Sequence, residues 1–557
     1  MSKKFSRCLE DFVCENCGQK VVGNGYTNHC PYCLFSKHVD INPGDRKNTC
    51  FGLMEPIFIE MKKGKYIIIH RCLKCGKTHR CRSANNDSFE DILAVVRKNQ
   101  KSCKELNGCK REMNKIQHEV IPHLCHLELT YACNQNCSFC YNPKREKSIK
   151  PEDLILTDQI VRAVAKSQIP HVCFLGGEPS LLPVKKLNEY IEILNDHSSV
   201  TITTNGLRCL RGISEKLAFF AVPIHSVNTQ THEFLNQTPG SFERTLETIR
   251  YYVSEGRVVR AVPLLNGYNY NQMYDIIRLA AELGMESVYV DRYEDGGLGA
   301  QNSPHLKLKP TLEQFRVALG QIIQARKDFV VLEGRVGFGT AIPYCLDERL
   351  ITERITCNCG VGRDFCAIGP KGEFRICNQS QLVFGNVLEE PIEVIWNKPS
   401  LDIFRDLSWV NEPCKSCKLL MDCAGGCKVD VNCSDKFCVD YSVRGSSKPI
   451  IELPGTIQRP SLADTYPEDF RVFIPSPYMK LTTQYPEKLL ITRYQTVKLD
   501  EMAFEISKAI LTGTIIDEGE LIRRFSDRVE ETEIRVFVSR LLQVNAVDLV
   551  QEVANDT

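Results

Sequence analysis

Three thiols stand close together in CNQNCSFCYN (133–142), at Cys133, Cys137 and Cys140. A structural zinc knuckle closes its shell with four ligands, and a redox dithiol needs only two. Three ligands in one short loop describe a metal centre with a position left open. Two other short stretches are unusual: GGEP (Gly176, Gly177, Glu178, Pro179) and TNG (Thr204, Asn205, Gly206).

The other cysteines are clustered as well. There are 28 in 557 residues, and none follows Cys438. The head carries three CxxC pairs, Cys14/Cys17, Cys30/Cys33 and Cys72/Cys75. Each pair offers two thiolates to a tetrahedral zinc, and two pairs fill a shell. Cys50, His29, His38, His70, His79 and Cys81 are further candidate ligands, and the pairing stays open at this stage. Taken singly, each of these histidines reads as a surface or packing residue. A second field runs from Cys345 through Cys357, Cys359, Cys366 and Cys377 to Cys414, Cys417, Cys423, Cys427, Cys433 and Cys438.

The bulk composition sets the context. Charged residues are 25% and hydrophobic ones 43%, with a formal charge of +1. The whole chain therefore has no global pull toward nucleic acid or membrane. The balance is uneven: residues 1–120 hold 22 Lys+Arg against 13 Asp+Glu (net +9), and residues 451–557 hold 12 against 18 (net −6). No apolar run is long enough to span a membrane, and MSKKFSRCLEDFVCENC has no apolar core of a secretory signal. The expectation is a cytoplasmic chain whose thiols stay reduced and bind metal.

The elements that must position these loops are legible between residues 120 and 340. HLELTY (126–131), HVCFL (171–175), VTITTNG (200–206), FFAVPIHSV (219–227), RVVRAVPLL (257–265) and SVYVDRY (287–293) read as strands. Helical periods such as KPEDLILTDQIVRAVAKS, VKKLNEYIEILND and NQMYDIIRLAAELG separate them. The alternation predicts an α/β fold with a partial (β/α)6 barrel. The unusual loops would then share the C-terminal face of the strands, where such folds keep their chemistry.

These residues resemble the radical S-adenosylmethionine (radical SAM) superfamily, whose signature CX3CX2C is matched by Cys133, Cys137 and Cys140. The resemblance implies a [4Fe–4S] cluster on those thiolates, with the fourth iron left for the amino and carboxylate groups of S-adenosylmethionine (SAM). Reductive cleavage of SAM would yield a 5′-deoxyadenosyl radical that modifies a substrate. Gly176, Gly177, Glu178 and Pro179 match the loop for the SAM amine, and Thr204, Asn205 and Gly206 match the adenosine loop. Ser226 and Asn228, in HSVNTQ, stand where the family carries ribose contacts, with SVN in place of the commoner SxD.

The second field resembles the SPASM extension: Cys359, then Gly372 four residues before Cys377, then CX2CX5CX3C at Cys414, Cys417, Cys423 and Cys427, then Cys438. That implies two auxiliary [4Fe–4S] clusters, one on Cys359, Cys377 and Cys427 and the other on Cys414, Cys417, Cys423 and Cys438. Cys345, Cys357 and Cys366 compete to be the fourth ligand of the first cluster, unless that iron is open to substrate, and Cys433 competes with Cys438. GYTNHCPYCLFSKHVDINPGDRKNTCFGLMEP (25–56) resembles the RNHCP family of zinc-ribbon-like proteins, which carries no activity over to this chain.

After a Pro-rich linker, residues 466–557 read as strand, three helices and strand, a small winged-helix-like unit. It resembles the peptide chaperone of pyrroloquinoline-quinone biosynthesis, which implies capture of a precursor peptide by strand addition, here near Leu489–Tyr494. The rival, a DNA-binding winged helix, is opposed by the acidic charge. The expected division is a zinc-ribbon domain (1–115), a radical SAM barrel (120–340), a SPASM domain (341–450) and a peptide-recognition domain (466–557). The expected function is radical modification of a ribosomally made peptide or protein, with a flavodoxin or ferredoxin as reductant. The alternatives are modification of a nucleic acid guided by the basic head, or a non-enzymatic iron–sulfur electron carrier or regulator.

Overall fold

The computed structural model describes residues 10–549, apart from 24–28, 41–44, 63–64, 83, 85–86, 88–118, 143–144, 333, 356, 408–409, 411, 429–471, 484–486, 514 and 516. Two compact units are present. One comprises Met1–Met113 with Glu389–Lys398, and the other Asn114–Leu388 with Pro399–Thr557.

In the first unit, β1 (Phe12–Val13) pairs antiparallel with β2 (Lys20–Val21). A four-stranded antiparallel sheet has the order β3 (Ser36–Lys37), β4 (Leu53–Lys62), β5 (Lys65–Cys72), β6 (Thr78–Arg82). Each CxxC pair makes the same tight knuckle. The amides of Gly18, Leu34 and Gly76 donate to the carbonyls of Cys14, Cys30 and Cys72 at 2.8–2.9 Å. All three residues have left-handed backbone, with φ of +72°, +62° and +74°. Glycine suits two of these positions, and Leu34 takes the third at a steric cost.

The second unit is built on a parallel sheet. The strands are β7 (Leu124–Thr130), β8 (His171–Gly176), β9 (Ser199–Thr203), β10 (Phe219–Val222), β11 (Val259–Ala261), β12 (Leu264–Leu265), β13 (Ser287–Arg292) and β14 (Val336–Phe338). Strands β7 to β11 pair in sequence order, β13 follows β11, and β14 follows β13, all parallel. The helices α1 (Pro151–Ser167), α2 (Val184–Asn195), α3 (Thr229–Asn236), α4 (Ser241–Ser254), α5 (Met273–Glu282), α6 (Gly297–Leu306) and α7 (Leu312–Asp328) lie along the connections. The six strand-like runs of the sequence are all strands. RVVRAVPLL is divided into β11 and β12 around Pro263, which has no amide to donate to a ladder. The sheet continues on the other side of β7 into β15 (Phe365–Ile368), parallel to β7, then antiparallel β16 (Glu373–Arg375) and β17 (Val383–Asn386).

Local sequence explains the element starts. Pro151 opens α1, with Glu152 and Asp153 in its first turn and the Asp153 carboxylate accepting from the Lys150 amide. A Thr311/Gln314 capping box opens α7. Along β9 and β10 nearly every residue is buried, as a parallel sheet covered on both faces requires. Phe220 stacks on Tyr252 of α4 with ring centroids 3.8 Å apart.

The tail forms β18 (Phe473–Pro475), β19 (Lys480–Thr482), β20 (Lys488–Ile491), β21 (Thr496–Leu499), α8 (Glu501–Leu511), α9 (Glu518–Phe525), α10 (Glu531–Gln543) and β22 (Val547–Leu549). Asp500 and Asp517 cap α8 and α9. LLITRYQTVKLD (489–500), the stretch whose sequence reads as the first strand of the tail, is a hairpin: Thr492 and Gln495 close the turn. This corrects the expected peptide edge near Leu489–Tyr494. β20 is the middle strand, paired with β19 on one side and β21 on the other, so its ladder is already filled.

The turn of the hairpin, together with β19 and the residues just before it, sits on the N-terminal ends of the barrel strands. Lys480 Nζ donates to Ser198 O at 2.6 Å, Ser199 Oγ donates to Arg493 O at 3.0 Å, and Tyr478 OH donates to Leu217 O at 3.1 Å. Tyr494 OH donates to the Glu286 carboxylate. The Arg260 guanidinium lies over the rings of Phe219 and Tyr289, at 4.2 and 4.4 Å.

Candidate active site and metal centres

The cysteine loop leaves the C-terminal end of β7, and GGEP leaves the C-terminal end of β8 beside it. Gly177 N donates to Thr130 O at 2.6 Å, and Glu178 N donates to Ala132 O at 2.8 Å. A Cβ on Gly177 would lie 2.0 Å from Ala132 O, so only glycine permits this approach. Gly176 has φ +126° and meets Thr130 O in the same way at 2.5 Å. Pro179 opens a short 3-10 turn, Pro179–Leu181.

Glu178 joins the next loop to this one. Its Oε1 accepts from Thr204 Oγ1 at 2.6 Å and from Ser180 N at 2.9 Å, and its Oε2 accepts from Asn205 N at 2.9 Å. Burial raises its pKa, and these three donors pull it back. Asn205 Nδ2 donates to Asn134 Oδ1 at 2.7 Å, which brings TNG onto the cysteine loop. Gly206 has φ +74° and packs against Thr245. The loops after β7, β8 and β9 thus form one hydrogen-bonded assembly.

Ser226 and Asn228 lie past β10. Ser226 Oγ donates to Gln272 Oε1 at 2.6 Å and accepts from Asn228 N. The Asn228 side chain caps α3, accepting from Thr231 N at 3.0 Å.

Burial pushes Cys133 up to about 11, with Glu178 and Cys140 adding to the shift, and raises Cys137 well above the ordinary thiol value, with Cys140 and Cys133 adding. Such thiols ionise against a bound cation rather than against water. Arg145 donates to Cys137 O, and the Ser138 amide donates to Leu235 O at 2.9 Å. The start of α6 seals the other side. Gly299 N donates to Cys140 O at 2.8 Å, and a Cβ on Gly297 would strike Tyr141 O at 1.9 Å. Sequence reasoning missed this contact, although GGLG (296–299) was its visible signal.

It also missed a buried ion pair. Arg375, in the GX4C stretch before Cys377, bonds the Glu128 carboxylate on β7. The same guanidinium donates to Asn378 O and Ser380 O, each at 3.1 Å. The Cys377 loop is thereby fastened to the strand that carries the Cys133 loop.

In the second field, burial raises Cys377 to about 12, with Cys359 adding to the shift. Cys357 is raised to about 12 in the same way, with Asp291 and Cys359 contributing. Cys423 reaches about 11 by burial, with Cys345 contributing. Cys359 therefore has Cys357 and Cys377 as neighbours, and Cys345 neighbours Cys423. Cys366 is taken up in the sheet: it pairs with Cys125 of β7, and both are fully buried. Cys414, Cys417 and Cys427 are described, whereas Cys433 and Cys438 lie outside the described residues.

In the head, Cys14, Cys17, Cys30 and Cys33 gather their sulfurs within 4.8 Å of one another, and the ligand atoms of His38, Cys50, Cys72 and Cys75 do the same. The Cys14–Cys33 and Cys17–Cys30 separations are 3.5 and 3.6 Å, and Cys50–Cys72 is 3.7 Å. Two thiolates on one tetrahedral zinc stand about 3.8 Å apart, so both groups fit that ion. The pairing left open by the sequence thus resolves into an all-cysteine set and a mixed set, with Cys50 and His38 completing the second.

Comparison with known proteins gives three domain matches. Residues 127–280 match the model of the radical SAM superfamily, and residues 357–418 match that of SPASM, an iron–sulfur cluster-binding domain. The chain carries a radical SAM domain followed by a SPASM domain. Residues 9–93 ahead of them match the RNHCP domain. Among curated relatives, the PqqA peptide cyclase of Bradyrhizobium diazoefficiens is 25% identical, over 55% of this chain and 82% of that protein. The antilisterial bacteriocin subtilosin biosynthesis protein AlbA of Bacillus subtilis is 24% identical, over 49% of this chain and 59% of that protein. Streptococcus suis SuiB bound to its precursor peptide SuiA aligns with a TM-score of 0.47 at 16% identity, covering 69% of this chain and 98% of that one. Among the described residues, no helix of this radical SAM/SPASM chain is long and apolar enough to cross a membrane.

Proposed function

We propose that this radical SAM/SPASM enzyme modifies a ribosomally made peptide, bound as a precursor, in the cytoplasm. The observation that carries the radical chemistry is the three-thiol loop tied by hydrogen bonds to both GGEP and TNG at one end of a parallel barrel. The peptide class rests on the names of the relatives, a peptide cyclase and a bacteriocin biosynthesis protein.

The residues fit the cofactors the domains imply. Cys133, Cys137 and Cys140 would hold three irons of a [4Fe–4S] cluster, and Gly176 to Pro179, Thr204 to Gly206, Ser226 and Asn228 would line the SAM site. When bound, cluster and SAM supply a carbon-centred radical that takes a hydrogen atom from the substrate. The chain's own part is positioning. A carboxylate has about four lone-pair sites. Glu178 uses three of them on protein donors and keeps one for an ammonium group. The glycines of GGEP let its backbone approach the carbonyls of Thr130 and Ala132 closely, which fixes the two loops against each other. The Glu128–Arg375 pair keeps the Cys377 loop in register with β7. We assign the auxiliary SPASM clusters to electron transfer or substrate anchoring, the electron source to a flavodoxin or ferredoxin, and precursor capture to the tail. Among the described residues, β19 and β21 are the outer strands of the three-stranded sheet, the edges on which a strand can add.

The test uses anaerobically reconstituted enzyme with SAM and a reductant. It is offered, separately, a short peptide encoded beside its gene and an RNA pool. A SAM-dependent mass change on the peptide, lost in the triple variant Cys133→Ala, Cys137→Ala, Cys140→Ala, is expected. Modification of the RNA with the peptide untouched would transfer the function to the basic head.

A further inference from the structure

Gln135 lies between the first two thiols of the cysteine loop, and its carboxamide reaches the second. Cys137 Sγ stands 3.4 Å from Gln135 Oε1 and 3.6 Å from Oδ1 of Asn236, the last residue of α3. Both amide side chains are buried, at 6 and 2% exposure. Neighbouring bonds hold the arrangement in place. The Ser138 amide and hydroxyl donate to Leu235 O at 2.9 and 3.1 Å, which ties the residue after Cys137 to the residue before Asn236. From α6, Asn302 Nδ2 donates to Ser138 O at 2.7 Å.

As a thiol, Cys137 has one proton and serves one of the two oxygens. As a thiolate on iron it has none, and both oxygens then face an anionic sulfur. On the same carboxamide, Gln135 Nε2 is buried and has no hydrogen-bond partner among the described residues. A buried polar group left so costs about 1–3 kcal/mol. A half-turn of the planar carboxamide about its last side-chain bond relieves both faults. That torsion is roughly two-fold, and the turn exchanges the oxygen and the nitrogen at nearly constant volume. The oxygen takes the place of the nitrogen, and an under-satisfied carbonyl is the milder fault.

We propose that, once Cys137 is bound to iron, the Gln135 carboxamide donates an N–H to its sulfur and raises the reduction potential of the radical cluster. The inference rests on the radical SAM reading of the three thiols. The reduced cluster carries one more negative charge than the oxidised one, so a donor on its thiolate favours reduction. Hydrogen bonds to the sulfurs are among the protein's levers on such potentials, and a donor facing an ionised acceptor makes a strong bond. Asn236 faces the same sulfur, but Gln135 carries the claim through its unpartnered nitrogen. The rival reading gives that nitrogen to SAM or to the substrate, and it leaves the potential unaltered until one of them is bound.

Full-length reconstituted protein, without SAM or peptide, is poised at a series of potentials and its reduced clusters are followed by electron paramagnetic resonance. The radical cluster is the signal missing from Cys133→Ala/Cys137→Ala/Cys140→Ala. Gln135→Met keeps the reach of the side chain and removes the donor. Its reduced-to-oxidised ratio at a fixed potential is expected to fall about tenfold, a downward shift of about 59 mV for a one-electron couple. An unchanged or higher midpoint overturns the proposal, and so does a shift that appears only after SAM is added. If Gln135→Met does not take up that iron, wild type carrying nitrogen-15 in its glutamine side-chain amides decides. A nitrogen-15 coupling on the radical-cluster signal is expected in pulsed measurements, and its absence overturns the proposal. A wild type with no such signal overturns the radical-centre reading itself, and this inference with it.

Discussion

Glu178 shows at the residue scale what the sequence reveals and what it conceals. GGEP marked it as a ligand-facing carboxylate, and the structure adds that it also joins the second loop to the third through Thr204 and Asn205. Glu178→Gln replaces one acceptor oxygen by a donor opposite those groups. At about 1–3 kcal/mol for an unsatisfied buried group, SAM affinity should fall roughly 10- to 100-fold, measured by equilibrium dialysis; unchanged affinity would remove Glu178 from the site. Gly177→Ala puts a carbon 2.0 Å from Ala132 O. It should lower the iron of the radical cluster and leave the auxiliary iron in place, read by iron analysis beside that of the triple cysteine variant. The thiol spacing was legible because ligand spacing in a loop is local. The Glu128–Arg375 pair was not, since its partners are 247 residues apart and neither sits in a charge pattern. Breaking it with Arg375→Met leaves a buried carboxyl without its cation. The expected loss is about 3 kcal/mol of stability, partly recovered in Glu128→Gln/Arg375→Met, by thermal melting; additive losses would show that the two do not act as a pair.

At the scale of elements, the barrel strands announced themselves as short apolar runs between amphipathic periods, and all six proved to be strands. The β20–β21 hairpin did not, because its turn, Thr492 to Gln495, has neither glycine nor proline and closes on a threonine hydroxyl. The docking of that hairpin on the barrel base was equally hidden, since it depends on single residues such as Tyr478, Tyr494 and Arg260. It changes what a tail deletion would mean: removing residues 472–549 uncovers Phe219, Ala218 and Ala221, so a fall in barrel stability is expected alongside lost recognition. Tyr494→Phe, which deletes only the bonds to Glu286, should instead speed amide exchange in Phe219–Val222 and Lys488–Ile491 without changing SAM cleavage. Unchanged exchange would mean the contact is absent in solution. The docking should also strengthen with alkali. Burial lowers Lys480 to about 8, below the ordinary lysine value of about 10.4. Between those values the undocked form binds more protons, so the docked form gains stability as pH rises and loses it as pH falls through 8. Amide exchange of wild type against Lys480→Met across that range checks the sign, with the slope absent in the variant.

For the whole molecule, the clustering of the cysteines placed metal in three regions of the chain, and one match, to an iron–sulfur cluster-binding domain at 357–418, falls on the last of them. What composition could not supply was stoichiometry in the head, because a cysteine pairs with whichever strand the sheet brings opposite it. Cys50 and His38 joined Cys72 and Cys75 only once the chain was folded. Everything proposed for the enzyme depends on the radical centre, and one assay addresses it directly. Anaerobically reconstituted protein is mixed with SAM and dithionite, and 5′-deoxyadenosine is quantified for wild type and for Cys133→Ala/Cys137→Ala/Cys140→Ala, each with its iron content. Steady 5′-deoxyadenosine is predicted from the wild type and none above background from the variant, which retains its auxiliary iron. Equal product from both proteins, or none from a wild type carrying its full iron, would contradict the assignment.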